Sequence, residues 1–203
     1  MSYAIKEIFH TIQGEGINAG RAAVFCRFAG CNLWSGRKED QAGAVCNFCD
    51  TDFIGGFRAA HAMDLAWSIE GQRPLGCEKF VVLTGGEPLL QVDKALIDAL
   101  HFRGFEIAAE TNGTILAPKG IDWLTVSPKA NSTWVQRTGN ELKLVYPQVD
   151  LMPDDVERTG FDHYLLQPMD GQYRERNTAD AIEHCKRGGW RLSLQSHKWL
   201  GIR

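Results

Sequence analysis

The chain has 203 residues, enough for one domain with a proper core and too few for two of comfortable size. Its 44% apolar and 23% charged residues are those of an ordinary globular protein, and a net charge of −3 gives no reason to expect nucleic-acid or anionic-membrane binding. No stretch approaches the roughly 20 apolar residues of a membrane span, and the opening MSYAIKEIFH lacks a signal-peptide pattern, so a cytoplasmic protein is expected. In that compartment six cysteines point to metal or core roles rather than disulfides.

Tyr3–Phe9 alternates apolar and polar residues and predicts an edge strand. It runs into Thr11-Ile12-Gln13-Gly14-Glu15-Gly16, whose glycines allow tight turns and close approach of a ligand. Ala22–Ala29 reads as a buried strand that delivers Gly30 and Cys31 to its C-terminal end. Arg27 interrupts that apolar run, either as a solvent-side arginine or as an inward charge for an anionic substrate.

The next stretch, Cys31 to Thr51, is polar and broken by glycine, and its cysteines stand at C-x14-C-x2-C (Cys31, Cys46, Cys49). Zinc and a plain electron-carrying iron–sulfur cluster each take four protein ligands. Three local cysteines with no obvious fourth leave one iron open to a small molecule. A structural zinc knuckle, with Cys26 or His10 as fourth ligand, is the plainer reading. Cys26, in an apolar strand pattern, and Cys185, on a helix face, read as packed thiols.

From there strands and helices alternate. His61–Glu70 predicts a helix, Phe80–Leu83 a strand ending in Thr84-Gly85-Gly86-Glu87-Pro88, and Leu89–Phe102 an amphipathic helix. Strands follow at Phe105–Ala109, Trp123–Val126, Glu141–Tyr146 and Tyr164–Leu166, with a short helix near Asp154–Arg158. Asn177 is the expected cap of a helix Thr178–Arg187, and Trp190–Leu194 the last strand. Repeated strand–helix–strand units imply an α/β fold with a mostly parallel sheet and right-handed crossovers. Polar residues fall at the C-terminal ends of these strands, the rim where such folds bind ligands. The gaps at Gly113–Asp122 and Ala130–Asn140 are too short for full helices, so a partial, trimmed barrel is expected rather than a closed one.

Three cysteines followed by a strand and TGGEP resemble the radical S-adenosylmethionine (SAM) superfamily, with the first cysteine gap expanded to fourteen residues. FHTIQGEG, RFAGCNLW, CDTDF, VLTGGEP, AAETNGT, VSPK, GNELKLV, LQPMDG and LQSHKWLGI together resemble the 7-carboxy-7-deazaguanine synthase family, from residue 3 to the C-terminus. The resemblance implies a single radical SAM domain over 1–203, with the cluster loop inserted at about 31–51. It implies a lyase that converts 6-carboxy-5,6,7,8-tetrahydropterin to 7-carboxy-7-deazaguanine with loss of ammonia, on the way to queuosine-type deazapurines. A 4Fe–4S cluster, recycled SAM, Mg2+, an external one-electron reductant such as flavodoxin and a homodimer come with it.

Carried onto this chain, the resemblance makes Cys31, Cys46 and Cys49 the cluster ligands and Thr51 the Mg2+ ligand. It sets Phe48, Cys49, Asp50, Gly86, Ser127, Pro128, Lys129, Gln167, Pro168, Met169 and Asp170 at SAM. Ile12, Gln13, Gly14, Arg27, Thr84 and Arg203 fall at the pterin, where a guanidinium suits the substrate carboxylate. Relatives with the same ending often finish in proline where this chain has Arg203, at the expected end of the last strand. Glu15, Glu110 and His197 are expected near the substrate, each with a structural hydrogen bond as its bland role. Two other functions compete: a radical SAM activase of a glycyl-radical protein, and a non-catalytic zinc-binding module.

Overall fold

A computed structural model describes residues 2–158 and 160–203. Nine strands form one sheet: β1 (Tyr3–Ile12), β2 (Ala22–Phe28), β3 (Phe57–Ala59), β4 (Phe80–Gly85), β5 (Glu106–Thr111), β6 (Trp123–Val126), β7 (Gly139–Tyr146), β8 (Phe161–Pro168) and β9 (Arg191–Leu192). Their order is β3-β1-β2-β4-β5-β6-β7-β8-β9. β1 pairs antiparallel with β2 and β3, and every pairing from β2 to β9 is parallel. This is the expected partial barrel. The first strand is not an edge, however, because β3, unread in the sequence, takes that position.

Helices α1 (Ala62–Gln72), α2 (Lys94–Phe102) and α3 (Arg174–Lys186) pack on one face of the sheet. The two-residue period of a strand decides what each face carries. On β4, Val81 and Leu83 enter the main core beneath α1 and α2, with Leu65, Ile69, Leu96 and Leu100. Phe80 and Val82 turn the other way, joining Ala23, Ala108, Phe25 and Trp123 in an apolar plug low on the inner face. A second outer core joins Leu142, Leu144 and Leu166 to Ala181 of α3 and to Trp190. The inner positions above the plug are Arg27, Thr84, Glu110, Lys143 and Gln167, which form one polar layer facing a cavity.

Three elements depart from the sequence reading. The helix expected over Leu89–Phe102 is split into a 3-10 turn, Pro88–Leu90, and α2. Asp93 caps α2 by accepting from Leu96 N at 3.0 Å, and Gln91 bonds the backbone of Ala4 and Ala29 instead of facing solvent. Asn177 does not cap α3, which starts a turn earlier. It is buried inside the helix and donates to the Met169 carbonyl at 2.9 Å. The last strand has only two residues, and the chain ends beyond a short helix, α4 (Ser196–Leu200), not on a strand.

The sheet does not close by strand pairing. The β1–β2 connection crosses the gap instead. Ile17 N donates to Glu141 at 2.9 Å, Gly16 N to Ser193 Oγ at 3.0 Å, and Ser196 N to the Gly14 carbonyl at 3.0 Å. Gly14 has no room for a side chain there, since a Cβ would fall 2.8 Å from the His197 backbone nitrogen.

Candidate active site

The cavity at the C-terminal ends of the strands holds about 410 Å³, in the range of small-molecule sites. Its rim and floor collect nearly all the residues singled out in the sequence: Ile12, Gln13, Gly14, Glu15, Arg27, Thr84, Gly86, Glu110, Ser127, Lys129, Gln167, Pro168, Met169, Asp170, His197 and Arg203, with Cys31, Cys46, Phe48, Cys49, Asp50 and Thr51 from the cluster loop. Pro128 stands apart. It is buried beneath the rim, and its carbonyl accepts from Gln148 Nε2 at 3.3 Å.

The cluster loop contains one 3-10 turn, Lys38–Gly43, and no strand. Cys31 emerges directly from β2, where β4 comes very close. A Cβ on Gly86 would lie 2.0 Å from the Gly30 carbonyl oxygen and 2.9 Å from Cys31 Cβ. The glycine is thus required by the protein's own backbone. Glu87 is also structural: fully buried, it accepts from Leu89 N (3.0 Å), Thr111 Oγ1 (2.8 Å) and Asn112 N (2.7 Å). The neighbouring Cys46 and Cys49 thiols compete for a proton, which lowers Cys49 and raises Cys46. Thr51 N–H also points at the Cys49 sulfur. Among the described residues no three His, Cys, Asp or Glu side chains converge tightly enough for a single ion. Thiols that line one cavity without converging suit a multi-iron body better than tetrahedral zinc.

Opposite the loop, the floor is a network of charges. Lys143 Nζ lies 2.5 Å from Glu15 and 3.7 Å from Glu110. Glu15 also accepts from Gln167 and Gln195, each at 3.0 Å. Glu110 accepts from Gln13 Nε2 at 3.0 Å and from Thr84 Oγ1 at 3.2 Å. Burial alone would raise Glu15, but Lys143 and the two amides outweigh it and bring its carboxyl down to about 2. Burial would lower Lys143, and the three carboxylates Glu110, Glu15 and Glu141 hold its ammonium above the ordinary lysine value instead. At one side of the cavity Glu7 accepts from Arg27 Nε at 2.9 Å and from Arg203. Arg27 therefore faces inward. At the other side Lys198 bridges Asp50 of the cluster loop and Asp170 after β8 (2.6 Å to Asp170).

Over the whole length of both proteins the chain is 61% identical to the 7-carboxy-7-deazaguanine synthase of Bradyrhizobium diazoefficiens and 56% identical to that of Caulobacter vibrioides. The chain belongs to the 7-carboxy-7-deazaguanine synthase family. The crystal structure of QueE from Escherichia coli superposes with a TM-score of 0.72 at 28% identity, covering 96% of this chain and 94% of that one. No family model matches the chain. Within the family fold, no helix among the described residues is long and apolar enough to cross a membrane.

Lys143, Glu7 and Lys198 are among the cavity residues that had no role in the sequence reading. Lys143 was legible: in Glu141-Leu142-Lys143-Leu144 the charges alternate with leucines, the mark of a strand with one polar inner face. Glu7 carries the same alternation on β1, although a bulge between Ile5 and Glu7 shifts its register. Lys198 had no signal, because its partners depend on a helix that was not foreseen.

Proposed function

We propose that this protein is the radical SAM lyase that converts 6-carboxy-5,6,7,8-tetrahydropterin to 7-carboxy-7-deazaguanine with loss of ammonia, in queuosine and 7-deazapurine biosynthesis. The observation that carries it is full-length identity to synthases of that name, in a chain whose three loop thiols share one cavity with a polar strand rim. The whole chain acts as one domain, with the cluster loop as its insertion. Cys31, Cys46 and Cys49 would hold a 4Fe–4S cluster, and the rim at Gly86, Ser127, Lys129 and Gln167 to Asp170 would take SAM. Bound there, cluster and SAM supply hydrogen-atom abstraction, chemistry that belongs to the cofactor rather than the protein.

The residues bind, orient and exclude water. Glu7 fixes Arg27 through Nε, and the terminal guanidinium nitrogens are the donors that a substrate carboxylate takes. Glu110, steadied by Gln13 and Thr84, offers an acceptor to the amino edge of the pterin. His197 packs on Gly14 and walls the same pocket. Mg2+ would use the Thr51 hydroxyl, a hard oxygen at the cavity wall, with waters and substrate oxygens completing its shell. The neighbouring carboxylates Asp50 and Asp52 are engaged by Lys198 and Lys6, which supports substrate rather than protein as the source of its other ligands. A one-electron donor such as flavodoxin, a homodimer and a cytoplasmic setting complete the reading.

The test is an anaerobic assay of reconstituted protein with carboxytetrahydropterin, SAM, Mg2+ and a reductant. Deazaguanine carboxylate should form in large excess over SAM consumed. One 5′-deoxyadenosine released per product contradicts recycling of SAM, and no deazaguanine sinks the assignment.

A further inference from the structure

We infer that Lys143 is the positioning residue of the substrate pocket: its ammonium, set between Glu15 and Glu110, fixes both carboxylates as the pterin-facing floor. This rests on the activity proposed above and concerns a residue that touches the reacting atoms only through its neighbours.

The geometry supports it in three ways. First, Lys143 is almost fully enclosed, with its side chain 5% exposed, yet its end reaches the cavity wall. A buried ammonium without partners is costly, so its carboxylates are part of its placement. Second, the carboxylates come from separate elements. Glu15 lies in the connection after β1, Glu110 at the end of β5, and Glu141 two residues back on the same face of β7. Lys129, after β6, is the other charge that acts on Lys143, and it disfavours the second ammonium. The remaining neighbours are neutral: Gln13 and Thr84 on Glu110, and Gln167 and Gln195 on Glu15. Third, Glu15 is the polar clasp where the open sheet closes. Through Gln167 and Gln195 it joins the β1 connection to β8 and to the segment before α4. One cation thus sets both the charge of the floor and the closure of the barrel.

Without Lys143, Glu15 loses the cation that holds its carboxyl down, and the clasp it makes with Gln167 and Gln195 takes up a proton more readily in acid. Glu110, no longer faced by the ammonium, loses its fixed place against the pterin amino edge. Substrate binding then fails before chemistry does, and fails more at lower pH.

The experiment compares wild type, Lys143→Met, Lys143→Arg and the double variant Glu15→Gln/Lys143→Met as reconstituted holoproteins. Iron content, SAM binding, carboxytetrahydropterin affinity by calorimetry, and kcat and KM are followed from pH 6 to 9. Lys143→Met should keep iron and SAM binding and lose roughly 100-fold in kcat/KM, mainly through KM, as expected when one partner of a buried pair is removed. The acidic limb of its kcat/KM profile should move up by about one pH unit or more. Lys143→Arg, which keeps the charge, should recover most of the affinity, and the double variant should bind better than Lys143→Met alone. If Lys143→Met does not fold, the Arg and double variants still decide. An unmoved acidic limb, or a double variant no better than Lys143→Met, reduces the lysine to packing and overturns the inference. Failure of wild type to turn over the pterin would instead strike the activity, which keeps the two failures distinct.

Discussion

The two walls of the cavity are built by opposite means. The floor is made of strand residues whose inner positions carry Glu110, Lys143 and Gln167, with Lys143 paired to Glu110 and joined to Gln167 through Glu15. Its geometry is complete in the protein alone. Facing it, the segment from Cys31 to Thr51 buries only Trp34 and Cys46. That wall is held by a few contacts: Trp34 edge-on to Phe53 at 5.5 Å, Gln41 Nε2 to the Cys49 carbonyl at 2.8 Å, and the Lys198 bridge from Asp50 to Asp170. A wall with so little apolar burial would take part of its order from a metal held by its thiols, as proposed above, whereas a charged floor must be ordered before substrate arrives. Such a division suits an enzyme that keeps its cluster and exchanges its substrate.

The largest effect that sharpens this contrast belongs to the loop. Ala at Cys31, Cys46 or Cys49 should abolish the 4Fe–4S absorbance and all turnover, while Ala at Cys26, Cys77 or Cys185 should leave both intact. Cluster loss from Cys77 or Cys185 would mean that the loop does not hold the ligand set by itself. The floor should show its character in acid. Because the Glu15 carboxyl is held at about 2 against an ordinary value of 4.5, its contribution is complete above pH 4.5 and is lost as pH falls from there toward 2. Urea melts of cluster-free protein between pH 7 and 3 should therefore fall more steeply for wild type than for Glu15→Gln. Parallel curves would show that the floor is not ordered by this charge.

Gly86→Ala probes the seam where the two walls meet. The added methyl collides with the Gly30 carbonyl and with Cys31, so a stability loss of about 2 kcal/mol and a clear drop in iron content are expected. Full iron content in a destabilised variant would separate the seam from the cluster. The smallest effect concerns one hydroxyl. Thr51→Ala should weaken Mg2+ activation on the order of tenfold with unchanged iron and SAM binding, and Thr51→Ser should recover most of it. Normal Mg2+ activation in Thr51→Ala would remove the metal role assigned to that residue.

Much of this protein could be read from the chain itself, because its signals are local. The cysteine spacing, the strand before TGGEP and the repeated strand–helix order with its short gaps need no distant partner, and they led to a trimmed barrel with a polar rim. Arg27 shows the limit. Its neighbours in sequence could not say whether it pointed in or out, and parallel pairing of β2 with β4 opposite Thr84 turned it toward the cavity and Glu7. Asn177 shows another: a good capping residue was drawn into the helix interior by the Met169 carbonyl. The sequence by itself determined most of the elements and the family, since propensity, periodicity and motif spacing act over a few residues. Only the tertiary structure decided that Glu15, Glu110 and Lys143 form one charged floor, and that Lys198 and Arg203 return to the cavity from the chain's end. Those arrangements balance charges between residues up to 196 positions apart, and the balance exists only once the strands have brought them together.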